Sequence, residues 1–76
     1  MPIPVGYANE GINELHHHSQ MFEIYLVARG TSTAVVNQQP IQLLAGDILV
    51  VEPGEPHTFS QNSDDYFHFV IQTPFV

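Results

Sequence analysis

A chain of 76 residues without a cysteine forms one small domain whose thin core no disulfide can brace, leaving a metal or a partner subunit as the remaining brace. Its formal charge is -7, with Arg29 the only basic residue besides histidine, a balance that repels phosphate backbones and anionic membrane faces and argues against nucleic-acid or headgroup binding. Charged residues are only 12% of the chain, too few for a disordered acidic tail.

Residues 1–10 carry two prolines and a glycine around Ile3 and Val5. They read as an extended lead-in that forms an edge strand or one exchanged between subunits, since proline cannot donate to an inner ladder. The start Met1-Pro2-Ile3-Pro4 lacks the basic residues and apolar core of a signal peptide, and no apolar run reaches membrane-spanning length. A cytoplasmic protein is the expectation.

Short strand-like runs follow: Ile12–His18, then Glu23–Arg29 closed by Gly30, Thr33–Asn37, and Ile41–Leu44. Gly46-Asp47 introduces Ile48–Val51, which Pro53-Gly54 halts; His57–Gln61 and Tyr66–Gln72 complete the series. Strands punctuated by turn residues at intervals of roughly 8–12 predict an all-β barrel or sandwich, one domain over residues 1–76. No helical period persists.

Alternation along the strands bears on both the interior and the assembly. In a strand, residues two apart share a face. If Glu23 points inward, so do Tyr25 and Val27, while Ile24, Leu26 and Ala28 point outward and are apolar too. Ile48–Val51 is apolar on both faces as well. A strand apolar on both sides is covered on both sides. A homodimer is therefore expected.

The chemistry gathers at His16-His17-His18-Ser19-Gln20-Met21-Phe22-Glu23, which holds three of the five histidines beside a carboxylate. His16 and His18 share a face and His17 points away. A tight hairpin before Glu23 would set the carboxylate beside the two imidazoles, and such ligands suit a divalent transition metal. Further on, a strand ending in Pro53-Gly54 delivers His57 at the start of the next. His68 lies in an apolar strand between Phe67 and Phe69 and reads as a structural histidine. Phe59 reads as core, and Arg29, just before Gly30, as a residue of an exposed strand end. Tyr25, on the face of Glu23, can line the pocket as a hydrogen-bond donor.

These stretches together resemble the cupin family, whose first motif is G-x5-H-x-H-x3,4-E-x6-G and whose second is G-x5-P-x-G-x2-H-x3-N; His16, His18, Glu23, Gly30, Gly46, Gly54 and His57 stand at its spacings. Gly11 lies one residue too close to His16, Glu52 stands where a proline is usual, and Asn62 comes one residue late. The resemblance implies a minimal double-stranded β-helix (jelly-roll) barrel with few N-terminal strands. It also implies that His16, His18, Glu23 and His57 hold one divalent metal, whether iron, manganese, nickel or zinc. The activity it suggests is a metal-dependent enzyme on a small molecule, dioxygenase-like on an enol, phenol or dicarbonyl compound, with isomerase or lyase chemistry as lesser options. Glu23 and Tyr25 would then be its catalytic groups. The alternative is a non-catalytic cupin that binds a small molecule or uses its metal for structure.

Overall fold

Period-two alternation becomes seven strands in a computed structural model that describes residues 5–8, by their backbone, and residues 21–74. They are β1 (Val5–Ala8), β2 (Met21–Arg29), β3 (Thr31–Val36), β4 (Gln39–Leu44), β5 (Ile48–Val51), β6 (His57–Ser60) and β7 (Phe67–Pro74). The expected strand Ile12–His18 lies outside the described residues. Among the described residues no helix is long and apolar enough to cross a membrane.

The strands form two antiparallel sheets, one of four strands in the order β1-β7-β2-β5 and one of three in the order β4-β3-β6. Among the described strands β1 stands at an edge, paired with β7 of its own chain. Along β2 the burial follows the alternation: Glu23, Tyr25 and Val27 are buried, whereas Ile24 and Leu26 are half-buried and Ala28 is exposed. From the facing sheet, Ala34, Val36, Leu43 and Phe59 meet Tyr25, Val27 and Val51 in one core. The two sheets thus fill the space between them with side chains from both.

Strand ends differ from the sequence expectation for local reasons. β3 stops at Val36 because Asn37 and Gln38 both take positive φ, 49° and 67°, the two-residue turn that matches strand twist in a hairpin. Pro40 is tolerated inside β4 because β4 stands at an edge among the described strands. β7 runs on to Pro74, where it pairs with Met21 and a missing N–H costs only a terminal ladder bond.

The corner from β2 to β3 turns on Gly30, with φ at +74°. A Cβ there would meet Ser63 Oγ at 2.3 Å, Asp65 Oδ1 at 2.8 Å and Tyr66 Cα at 2.8 Å. The loop from β6 to β7 is bound to this corner: Ser63 Oγ accepts from Thr31 N at 2.9 Å and donates to Asp65 Oδ1 at 2.8 Å. The Ser32 hydroxyl, fully buried, donates to Asn62 Oδ1 at 2.6 Å. Gly54 also has positive φ, +83°, but a Cβ there meets nothing within 4 Å. Gly54→Ala should therefore cost only the left-handed penalty, about 1–2 kcal/mol, while Gly30→Ala should cost more and lower the melting temperature by roughly 10 °C or further. Thermal unfolding of the two variants side by side checks the ranking.

Candidate metal centre

β2 carries Glu23 and Tyr25 into the interior on one face, and cross-strand register decides what they meet. Glu23 lies opposite Val51 on β5 and Gln72 on β7, and Tyr25 lies opposite Leu49 and Val70. His57 comes from the other sheet. Pro53 and Gly54 form the centre of a turn closed by Glu55 N donating to Glu52 O at 3.1 Å, with the glycine φ that a type II turn requires. Asn37 N donates to Pro56 O at 3.0 Å, and β6 then starts at His57, opposite Val36. The turn delivers the imidazole inward.

Glu23 and His57 are 3% and 1% exposed, so a carboxylate and an imidazole are taken out of water together. Such burial is tolerated only when the groups are paired and hydrogen-bonded. His57 Nε2 stands 2.8 Å from Glu23 Oε1. Tyr25 Oη donates to Glu23 Oε1 at 3.2 Å and lies 3.3 Å from His57 Nε2. Gln72 Nε2 donates to the other carboxylate oxygen, Oε2, at 2.9 Å. His57 Nδ1–H donates to the Glu55 carbonyl at 2.9 Å, which leaves Nε2 as the atom turned to Glu23.

The titration behaviour follows. Burial alone would depress the His57 pKa, but the Glu23 hydrogen bond, the Glu55 carbonyl and the charges of both glutamates outweigh it and raise the pKa above the ordinary range. Burial, then the Glu23 charge and hydrogen bond, hold the Tyr25 phenol protonated far past its usual range. Tyr25 is therefore a donor to Glu23.

The donor set fits a divalent cation. A neutral imidazole lone pair and a carboxylate lone pair cannot face each other at 2.8 Å without a proton or a cation between them. That spacing is also close to the separation of about 3 Å between neighbouring donors on one ion at ordinary metal–ligand distances. His57 anchored through Nδ1 and Glu23 anchored through Oε2 have the outer partners that metal ligands characteristically carry. Among the described residues no group of three or more His, Asp or Glu converges, so Glu23 and His57 supply two donors. His16 and His18, the other expected ligands, lie outside the described residues, as does His17.

The remaining candidates occupy other places. His68 is buried, with Nδ1 hydrogen-bonded to Tyr66 Oη at 2.8 Å and its ring edge-on to Tyr25 at 5.1 Å; burial lowers its pKa. Burial pushes Tyr66 up to about 12, so the phenol stays protonated. Phe59, 1% exposed, packs against Tyr25 with ring centroids 4.9 Å apart. Arg29 is exposed and its guanidinium lies over Phe67 at 5.1 Å, outside the interior. Reasoning from the sequence missed Gln72, whose only signal was its parity with His68 in the last strand. An open groove of about 520 Å³ lies between the β3–β4 turn and β5, lined by Phe22, Val36, Ile41 and Leu49 with Glu52 and Glu55 at its rim.

Two antiparallel sheets with a buried carboxylate–imidazole pair between them define a small β-barrel with a candidate metal centre. Residues 5–72 match the family described as Cupin domain, and the chain belongs to that family. Similar solved structures include a cupin protein from Bacteroides fragilis, 28% identical over 95% of this chain and 64% of that one, with a TM-score of 0.73. A predicted oxalate decarboxylase from Thermotoga maritima is 23% identical over 96% of this chain and 65% of that one, with a TM-score of 0.79. Pac13, a nucleoside dehydratase, shares the fold at 16% identity, TM-score 0.84, over 97% of this chain and 61% of that one. The chain spans less than two thirds of the length of each of these. No curated protein matches it.

Two outcomes are expected for metal binding. Because a protonated imidazole cannot ligate and the His57 pKa is raised, affinity for a divalent ion should fall about tenfold per pH unit below that pKa and level off above it, with proton release on binding. Gln72→Leu should weaken affinity by roughly 10–100-fold without loss of fold. Calorimetric titration in two buffers of different ionisation enthalpy measures both.

Proposed function

We propose that this protein is a metal-dependent enzyme acting on a small enol, phenol or dicarbonyl compound, with dioxygen as co-substrate. The observation that carries the reading is the buried contact of His57 Nε2 with Glu23 Oε1 at 2.8 Å, with the Tyr25 hydroxyl beside both atoms. Glu23 and His57, with His16 and His18 of the first motif, are the residues assigned to hold the ion. The ion would supply Lewis-acid activation of a chelating oxygen and a site for redox chemistry. A dioxygenase reaction places both oxygen atoms in the product and needs no added reductant.

The chain's own residues handle protons and orientation. Glu23, released from part of its bonding, can take a proton from the substrate at Oε1. Tyr25 holds a proton at Oη and can return it to the same atom or donate a hydrogen bond to a substrate oxygen. Gln72 keeps the carboxylate plane steady through Oε2 while this happens. Val36, Leu49 and Phe59 are buried in the core around the pair, which keeps its surroundings apolar.

The same Tyr25–Glu23 pair favours a second reading, a non-redox isomerase or lyase, because proton relocation needs a carboxylate and a protonated phenol and nothing more. Members of the same fold include a nucleoside dehydratase, so such chemistry is compatible with the scaffold.

Protein loaded in turn with iron, manganese, nickel and zinc, assayed against a panel of enols, phenols and dicarbonyls, tests the proposal by oxygen uptake and product analysis. Turnover with oxygen consumption is expected, and Tyr25→Phe should reduce kcat by about a hundredfold or more while leaving metal affinity within a factor of a few. Conversion without oxygen uptake selects the isomerase or lyase reading. Micromolar binding with no conversion anywhere in the panel would sink both and leave a ligand-binding module.

A further inference from the structure

We propose that the Glu55 side chain is a positioning group for His57: its carboxylate clamps the Pro53-Gly54 turn to Asn37 at the tip of the β3–β4 hairpin, and so aims the backbone carbonyl that holds the imidazole. The inference rests on the reading of His57 as a metal ligand, and its test follows the imidazole itself as well as the ion.

Glu55 uses every polar group it has. Its amide donates to Glu52 O at 3.1 Å, and its Oε1 accepts from Glu52 N at 2.7 Å, so the turn is closed twice between the same two residues. Its other carboxylate oxygen, Oε2, accepts from Asn37 Nδ2, eighteen positions away. Its carbonyl accepts from His57 Nδ1–H at 2.9 Å. Asn37 grips the segment a second time, since its own amide donates to Pro56 O at 3.0 Å. Asn37 stands at a φ of 49°, in the left-handed region that asparagine tolerates better than most residues.

A carbonyl two residues before a histidine can hold Nδ1 only when its peptide plane faces the ring. Pro56 has a fixed φ and biases Glu55 toward extended backbone, which removes most of the freedom of that plane. What remains is the tilt of the whole turn against β3, and the Asn37–Glu55 bond sets it. Asn37 directly follows Val36, the cross-strand partner of His57. The group that grips Glu55 and the strand that carries the imidazole therefore share one frame. Direction matters more than charge here: Asn37 is exposed and Glu55 half-buried, so solvent and salt screen the carboxylate while its bonds keep their geometry.

Two measurements test the clamp, with circular dichroism confirming that each variant is folded. One is zinc affinity by calorimetric titration. The other is exchange of His57 Nδ1–H with water, followed by nuclear magnetic resonance on protein labelled with 15N-histidine. Asn37→Gly removes the side-chain amide and suits the positive φ; it carries the test alone should Glu55→Ala not fold. Asn37→Gly and Glu55→Ala should each weaken zinc binding about tenfold and speed the exchange by about tenfold or more. The double variant should bind no more weakly than Glu55→Ala, because both changes break one unit. Glu55→Gln, which still accepts from Glu52 N and can bond a reversed Asn37 amide, should stay within about twofold of wild type. A lower melting temperature with unchanged affinity and exchange means a purely structural turn and overturns the proposal. An equal loss in Glu55→Gln and Glu55→Ala assigns the effect to charge and overturns it too. Wild type that binds no zinc removes the metal-centre reading, and the exchange rates then decide the clamp: faster in Asn37→Gly supports it, unchanged overturns it.

Discussion

A carboxylate and an imidazole brought 2.8 Å apart in a dry interior constrain everything around them. Neither group is stable there alone, because burial penalises each charge by several kcal/mol before any pairing. The surrounding fold answers with complete satisfaction. Gln72 takes one carboxylate oxygen, Tyr25 donates to the other, and the Glu55 carbonyl fixes the imidazole from behind. Among the described residues no buried side-chain nitrogen or oxygen lacks a partner. The pair sets two metal-type donors side by side where both sheets converge.

That convergence depends on strand connections more than on the core itself. β2 belongs to one sheet and β6 to the other, so Glu23 and His57 meet only if the Gly30 corner and the Pro53-Gly54 turn both close at the right height. Gly30 can do so because Ser63, Asp65 and Tyr66 leave no room for a side chain. The corner thereby links the β6–β7 loop to the same bend that directs β2 into β3.

A thin barrel also has outward faces to account for. β2 and β5 are apolar on both sides, as their sequences require, and the inner side supplies the core while the outer side is left as two uncharged rows. The same strand thus serves the site and the surface. Alternation keeps the two roles chemically separate, since a residue on one face cannot reach the other.

Much of this was readable from local pattern. The short-strand period announced an all-β fold, the parity of Glu23 with Tyr25 put both on one face, and Pro53-Gly54 before His57 announced a turn that presents a histidine. Those signals are local, set by strand alternation and turn chemistry within a few residues. Gln72 opposite Glu23, Tyr66 holding His68, and Gly30 pressed by Ser63 and Asp65 were invisible there. Each joins residues from different strands or loops, as far as 49 positions apart for Gln72 and Glu23. Composition and period say which side chains face inward; only the register of β2 against β7 and β5, and the closure of one sheet over the other, decide which of them touch. The reason is that pairing register is a sum of many distant contacts, and no single stretch of the chain contains it.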